Sequence, residues 1–120
     1  MEAALKRVAA AGDEGKALVP AVEEILLRPG EPQLLKESSA LCGLAPFQFS
    51  KAFKAIVEVP FHEFADRARV DAVLVALATS EARVDEVAES FGFLSVATMG
   101  LSIAEYTGLP LPAVLALLRP

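Results

Sequence analysis

Apolar residues recur at steps of three and four along most of the chain, the spacing of amphipathic helices, and no strand pattern competes with it. "EAALKRVAA" predicts a helix over 2–10, broken at "AGDEG" by Gly12 and Gly15. A second helix is expected to start at Pro20, a favourable first-turn residue, and to run through "AVEEILLR" to Arg28. "PGEP" at 29–32 reads as a loop. Further helices follow at 34–42 ("LLKESSALC"), 46–57 ("PFQFSKAFKAIV"), 61–78, 82–91 and 95–106, and "LPLPAVLALL" closes the chain. On the long 61–78 helix, Phe61, Phe64, Ala68, Val73, Leu74 and Leu77 mark the expected buried stripe. The fold class is all-α.

The pattern also repeats. Leu35 and Val84 lie 49 residues apart, as do Ser39 and Ala88, Cys42 and Phe91, and Gly43 and Gly92. Beyond the glycines the offset becomes 50, matching Phe49 to Met99, Phe53 to Ile103 and Ile56 to Tyr106. Each half therefore holds a short helix, a glycine turn and a second helix with the same inward residues: two helix-turn-helix units joined by the long helix. This gives an N-terminal helical extension over 1–32, packed on a tandem domain over 33–120. Within that domain the first unit is 33–60, the linking helix 61–79 and the second unit 80–120.

Composition narrows the function. The 120 residues suit one domain, and 54% of them are hydrophobic but only 7% aromatic, so the core rests on Ala, Leu and Val. The apolar runs, such as "AVLVALA", fall well short of the roughly 20 residues that span a bilayer. The N-terminus has no signal-peptide core, and the lone Cys42 fits a reducing compartment, so a cytoplasmic location is expected. A net charge of −5 argues against indiscriminate nucleic-acid binding. Only the middle, 44–75, escapes a negative balance, with four basic and four acidic residues. No phosphate loop, metal-ligand spacing or cofactor motif is present. A Cys42–His62 thiol–imidazole pair is the one catalytic arrangement to imagine, and a lone cysteine before a turn is more often a packing residue, so no enzymatic activity is expected.

"GLAPFQFSKAFKAI", "PFHEFADRARVDAVLVAL" and "VDEVAESFGF" together resemble the DNA-binding domain of the AraC family of bacterial transcription regulators, over roughly residues 33–118. The resemblance implies two helix-turn-helix units that place their second helices in successive major grooves. It implies base contacts near Phe47, Gln48 and Lys51, with Arg67 and Arg69 matching an Arg-rich part of the linking helix. The sequence also departs from the family. Met99 and Ile103 replace inner aromatics, Ser38 replaces a leucine, and Glu58 stands where a turn glycine is frequent. The family's large effector-binding domain has no counterpart in these 120 residues.

The two second helices differ most on their outward faces. In the first, Phe47, Lys51 and Lys54 point outward with Gln48 beside them: two phosphate contacts, an amide suited to an adenine edge, and an apolar ring for a thymine methyl. By themselves the lysines are ordinary solvated charges; the resemblance tips them toward DNA. Arg67 can equally form a local pair with Asp71. In the second helix, Ser95 and the first-turn amides can hold one phosphate. The outer face there is Ala97, Leu101 and Ala104, which suits a protein contact, with a second copy of the chain as the expected partner. Two readings stay open. The chain is an AraC-like regulator that binds double-stranded DNA through its first unit as a homodimer, or it is a protein-interaction module that keeps the fold without the DNA-reading chemistry.

Overall fold

A computed structural model describes residues 2–31 and 33–120. Among these residues it is helical throughout, with no strand: α1 (Glu2–Ala10), α2 (Gly12–Leu27), α3 (Leu35–Leu41), α4 (Pro46–Val57), α5 (Phe61–Thr79), α6 (Val84–Ser90), α7 (Val96–Thr107) and α8 (Leu111–Leu118). Most of these match the expected spans within two residues. The 29–32 loop begins as a turn at Pro29 and Gly30, and its last residue, Pro32, lies outside the described residues. Among the described residues no single helix is long and apolar enough to cross a membrane.

The exception is α2, which starts eight residues before Pro20 and carries that proline inside it. Gly12, at φ +73°, makes the break after α1, whereas Gly15 belongs to the helix. A Cβ on Gly15 would sit 2.0 Å from the Val8 carbonyl oxygen, so only glycine lets α1 and α2 approach this closely. Interior Pro and Gly together cost a helix about 4 kcal/mol in propensity. Fully burying Leu18, Val22 and Ile25 gains about 1.5–3 kcal/mol each, which is more. Tertiary burial therefore overrides the local signal.

The chain divides into two compact units, Met1–Ala68 and Arg69–Pro120, with the boundary inside α5. In the first unit, α1 and α2 share one core with α4 and the start of α5. Its centre is an aromatic cluster: the Phe61 ring lies 5.0 Å from Phe49 and 5.3 Å from Phe53, both edge-on, and Phe64 lies 5.5 Å from Phe53. In the second unit, Val70, Val73 and Leu77 of α5 bury against Val87, Ala88, Met99, Ile103 and Val114. Of the expected α5 stripe, Leu74 is only half-buried, and Val70, outside that stripe, is buried in its place. Arg119 closes the end of α5, its Nε donating to the Leu77 carbonyl at 2.8 Å and its Nη2 to the Ser80 carbonyl at 3.0 Å.

Candidate nucleic-acid interface

The repeat read from the sequence has a matching backbone. α3 and α6 each span seven residues, and each ends in a glycine in the left-handed region, Gly43 at φ +67° and Gly92 at φ +75°. In the first turn the Leu44 amide donates to the Ser39 carbonyl at 3.0 Å and the Gly43 amide to Ala40 at 3.1 Å. In the second, Phe93 donates to Ala88 at 2.9 Å and Gly92 to Glu89 at 3.1 Å. Both are Schellman turns, which satisfy the last helical carbonyls and send the chain sharply into the next helix. α4 begins three residues after Gly43 and α7 four residues after Gly92, the one-residue difference that turns the offset of 49 into 50, and each helix is twelve residues long. Phe49 and Phe53 in one, Met99 and Ile103 in the other, are fully buried at equivalent positions.

With the inner faces fixed, the outward residues follow. On α4, Phe47 is 78% exposed, and Gln48, Lys51 and Lys54 are exposed beside it. Phe47, Lys51 and Lys54 line one shallow groove of about 380 Å³ together with Ser50 and Ala55. Lys51 and Gln48 line another, of about 390 Å³, on the side facing α2. Lys51 and Ala55 border both depressions. Gln48 also has a structural duty: its Oε1 accepts the Ala45 amide at 3.2 Å, capping α4 and leaving the Nε2 amide outward as a donor.

The arginines are engaged within the protein. Arg67 pairs with Glu63, one turn earlier on α5, at 3.4 Å. The Arg69 guanidinium lies over the Phe93 ring, 3.7 Å from its centroid, a cation–π contact that ties α5 to the second glycine turn. Ser95 caps α7, its Oγ accepting the Thr98 amide at 3.1 Å. On the outer face of α7, Ala97 is exposed, Ala104 half-exposed and Leu101 73% exposed, with Glu105 beside them. Leu94, just before the helix, is 97% exposed. Cys42 is half-buried, and burial pushes its thiol up from its ordinary value against a smaller opposing effect of a hydrogen bond to the Ala21 backbone. That is the wrong direction for a nucleophile, which needs its thiolate.

Sequence reasoning missed two residues. Arg7 of α1 donates through Nη1 to the Val57 carbonyl at 3.0 Å and pairs with Glu58, closing the C-terminal end of α4. Glu14 of α2 shares the groove with Gln48 and Lys51. Neither carries a local signal, because each acts across a helix–helix contact.

By sequence, no protein-family model matches the chain, and no curated protein matches it. By structure, the chain is similar to a transcriptional regulator with an AraC-type DNA-binding domain from Chromobacterium violaceum. The TM-score is 0.77 at 14% identity, covering 87% of this chain and 93% of that one. The fold is that of the AraC-type DNA-binding domain. The DNA-binding domain of AdpA, a global transcriptional factor solved in complex with a target DNA, matches with a TM-score of 0.77 at 23% identity, covering 86% and 93% of the two chains. The C-terminal domain of the two-component response regulator yesN from Fusobacterium nucleatum matches at 0.71 with 21% identity, covering 78% and 92%. The AraC-type likeness reaches beyond the tandem units: 87% of 120 residues exceeds the 88 residues of 33–120, so it extends into the N-terminal helices.

Proposed function

We propose that this protein is a cytoplasmic AraC-like transcription regulator that binds double-stranded DNA mainly through its first helix-turn-helix, as a homodimer. The observation that carries this reading is the outward face of α4. Phe47, Lys51 and Lys54 are all exposed, and the helix bears no acidic residue. The AdpA domain, which shares the fold, was solved with its target DNA. In this reading α4 lies in the major groove, the two lysines neutralise phosphates, and Gln48 and Phe47 meet base edges.

With Arg67 and Arg69 held in internal contacts, Lys51 and Lys54 are the main cations left for phosphate. Two contacts per chain give a salt slope near −2, a weak monomer, and a dimer doubles it. The dimer contact is assigned to Ala97, Leu101 and Ala104 of α7. A fluorescence-anisotropy titration of labelled duplex DNA across salt concentrations tests the reading. Lys51→Ala and Lys54→Ala are each expected to weaken binding and to flatten the slope by about one. Equal binding by the double variant and the parent removes α4 from the interface.

The exposed Leu94 and Leu101 beside Glu105 favour a second reading, in which the chain is a protein-interaction module. Failure of every duplex to bind at low salt is the outcome that selects it.

A further inference from the structure

The groove of about 390 Å³ beside α4 has two unlike walls. One is α4 itself, with Gln48 and Lys51; the other is α2, with Glu14 and Ala17. Leu44, from the turn before α4, and the short side chains of Ala52 and Ala55 complete its lining, which places the Glu14 carboxylate on the same groove as Gln48 and Lys51. Among the described ion pairs neither Glu14 nor Lys51 takes part, so both charges face the solvent that a duplex would displace. The backbone at Glu14 is also pinned, because the next residue, Gly15, is packed against the Val8 carbonyl with no room for a Cβ.

The ordinary explanation for an acid here is the helix dipole, which favours negative charge in a first turn. Asp13 already supplies that charge in the same turn and does not line the groove. Of the two first-turn acids, Glu14 is the one that also lines the groove.

We propose that Glu14 is a specificity-determining residue of the first unit, a fixed negative charge on the wall beside α4 that opposes phosphate and suppresses sequence-independent DNA binding. The proposal rests on the reading of α4 as the DNA-contacting helix. A duplex entering with its backbone along the α2 wall gains from Lys51 and loses to Glu14, so net affinity depends on the base contacts made by Gln48 and Phe47. One carboxylate changes the effective count of neutralised phosphates by about one, which moves the salt slope by about 0.9.

Asp13 supplies the control. Glu14→Gln and Asp13→Asn remove the same charge from the same helical turn, but only the first lies on the groove. Both are titrated by anisotropy against a labelled duplex pool of randomised sequence, beside the parent and the Lys51→Ala/Lys54→Ala variant, with thermal melts to confirm folding. Glu14→Gln is expected to tighten binding about three- to tenfold and steepen the salt slope by about one, and Asp13→Asn to do markedly less. Equal effects of the two variants, or none from Glu14→Gln, overturn the proposal. If the lysine variant still weakens binding in that case, the reading of α4 stands. If the parent binds no duplex at low salt, the reading of α4 and this proposal fall together.

Discussion

α4 and α7 occupy equivalent places in the two units, follow the same Schellman turn, have the same length and share two buried positions, Phe49/Met99 and Phe53/Ile103. Their outward faces share almost nothing. α4 offers two lysines, an amide and a ring; α7 offers alanines, a leucine and one carboxylate. The charge of the units follows the same division, eight basic and ten acidic residues in Met1–Ala68 against three and six in Arg69–Pro120. The backbone of a DNA-reading helix and its chemistry are thus separable. Inner residues and turn glycines maintain the first, and exposed residues, among which Gln48 also caps α4, supply the second.

The strongest way to test the equivalence is through the cores. Phe53→Ala is expected to destabilise by about 3–5 kcal/mol and Ile103→Ala by about 2–5 kcal/mol, read from urea unfolding followed by circular dichroism. A loss under 1 kcal/mol at either position would mean that the paired sites are not equivalent core sites.

Leu101→Arg probes the proposed use of the α7 face. A guanidinium placed in a protein contact loses its water without gaining a partner, so the dimer is expected to weaken at least about a hundredfold while the helical spectrum is kept. Sedimentation equilibrium reads this. A parent that stays monomeric at high concentration, or a variant that associates like the parent, would leave the α7 face without a self-association role.

The helix ends sharpen the comparison on a smaller scale. α7 ends at Gly108 with φ +76°, and α4 ends at Glu58 with φ +70°, the left-handed region in both cases. A side chain there costs about 1–2 kcal/mol, so Gly108→Ala is expected to destabilise by about that much. Glu58→Gly relieves the same strain but removes the ion pair with Arg7, an exposed contact worth about 0–1 kcal/mol, and its net effect is expected to range from neutral to stabilising by about 2 kcal/mol. Thermal melts of both variants separate the two, and a stabilising Gly108→Ala would contradict the argument. The smallest expected effect concerns Cys42. Its raised thiol pKa keeps it protonated at neutral pH, so alkylation in the native state is expected to be slower than in urea and to climb only above the ordinary thiol range.

Much of this was legible in the residues. The offsets of 49 and 50 locate both glycine turns, because a left-handed C′ position selects glycine and a buried helix face selects apolar residues at fixed spacing. α2 was not legible from local signals: Pro20 reads as a first-turn residue unless the burial of Gly15 and Leu18 against α1 is known. Arg69 shows the same limit, because only the fold brings the Phe93 ring against its guanidinium. The Arg67–Glu63 pair, one turn apart on α5, instead follows helical spacing that the chain itself displays. The outward faces of α4 and α7 were readable because a helical wheel, once its buried side is known, fixes the rest.

Amide chemical-shift mapping during titration with duplex DNA at low salt addresses the contrast between the two helices most directly. The predicted result is a set of shifts concentrated in α4, at Phe47, Gln48, Lys51 and Lys54, while α7 from Ala97 to Glu105 stays unchanged. Shifts of equal or greater size along α7 would contradict the assignment of DNA reading to the first unit.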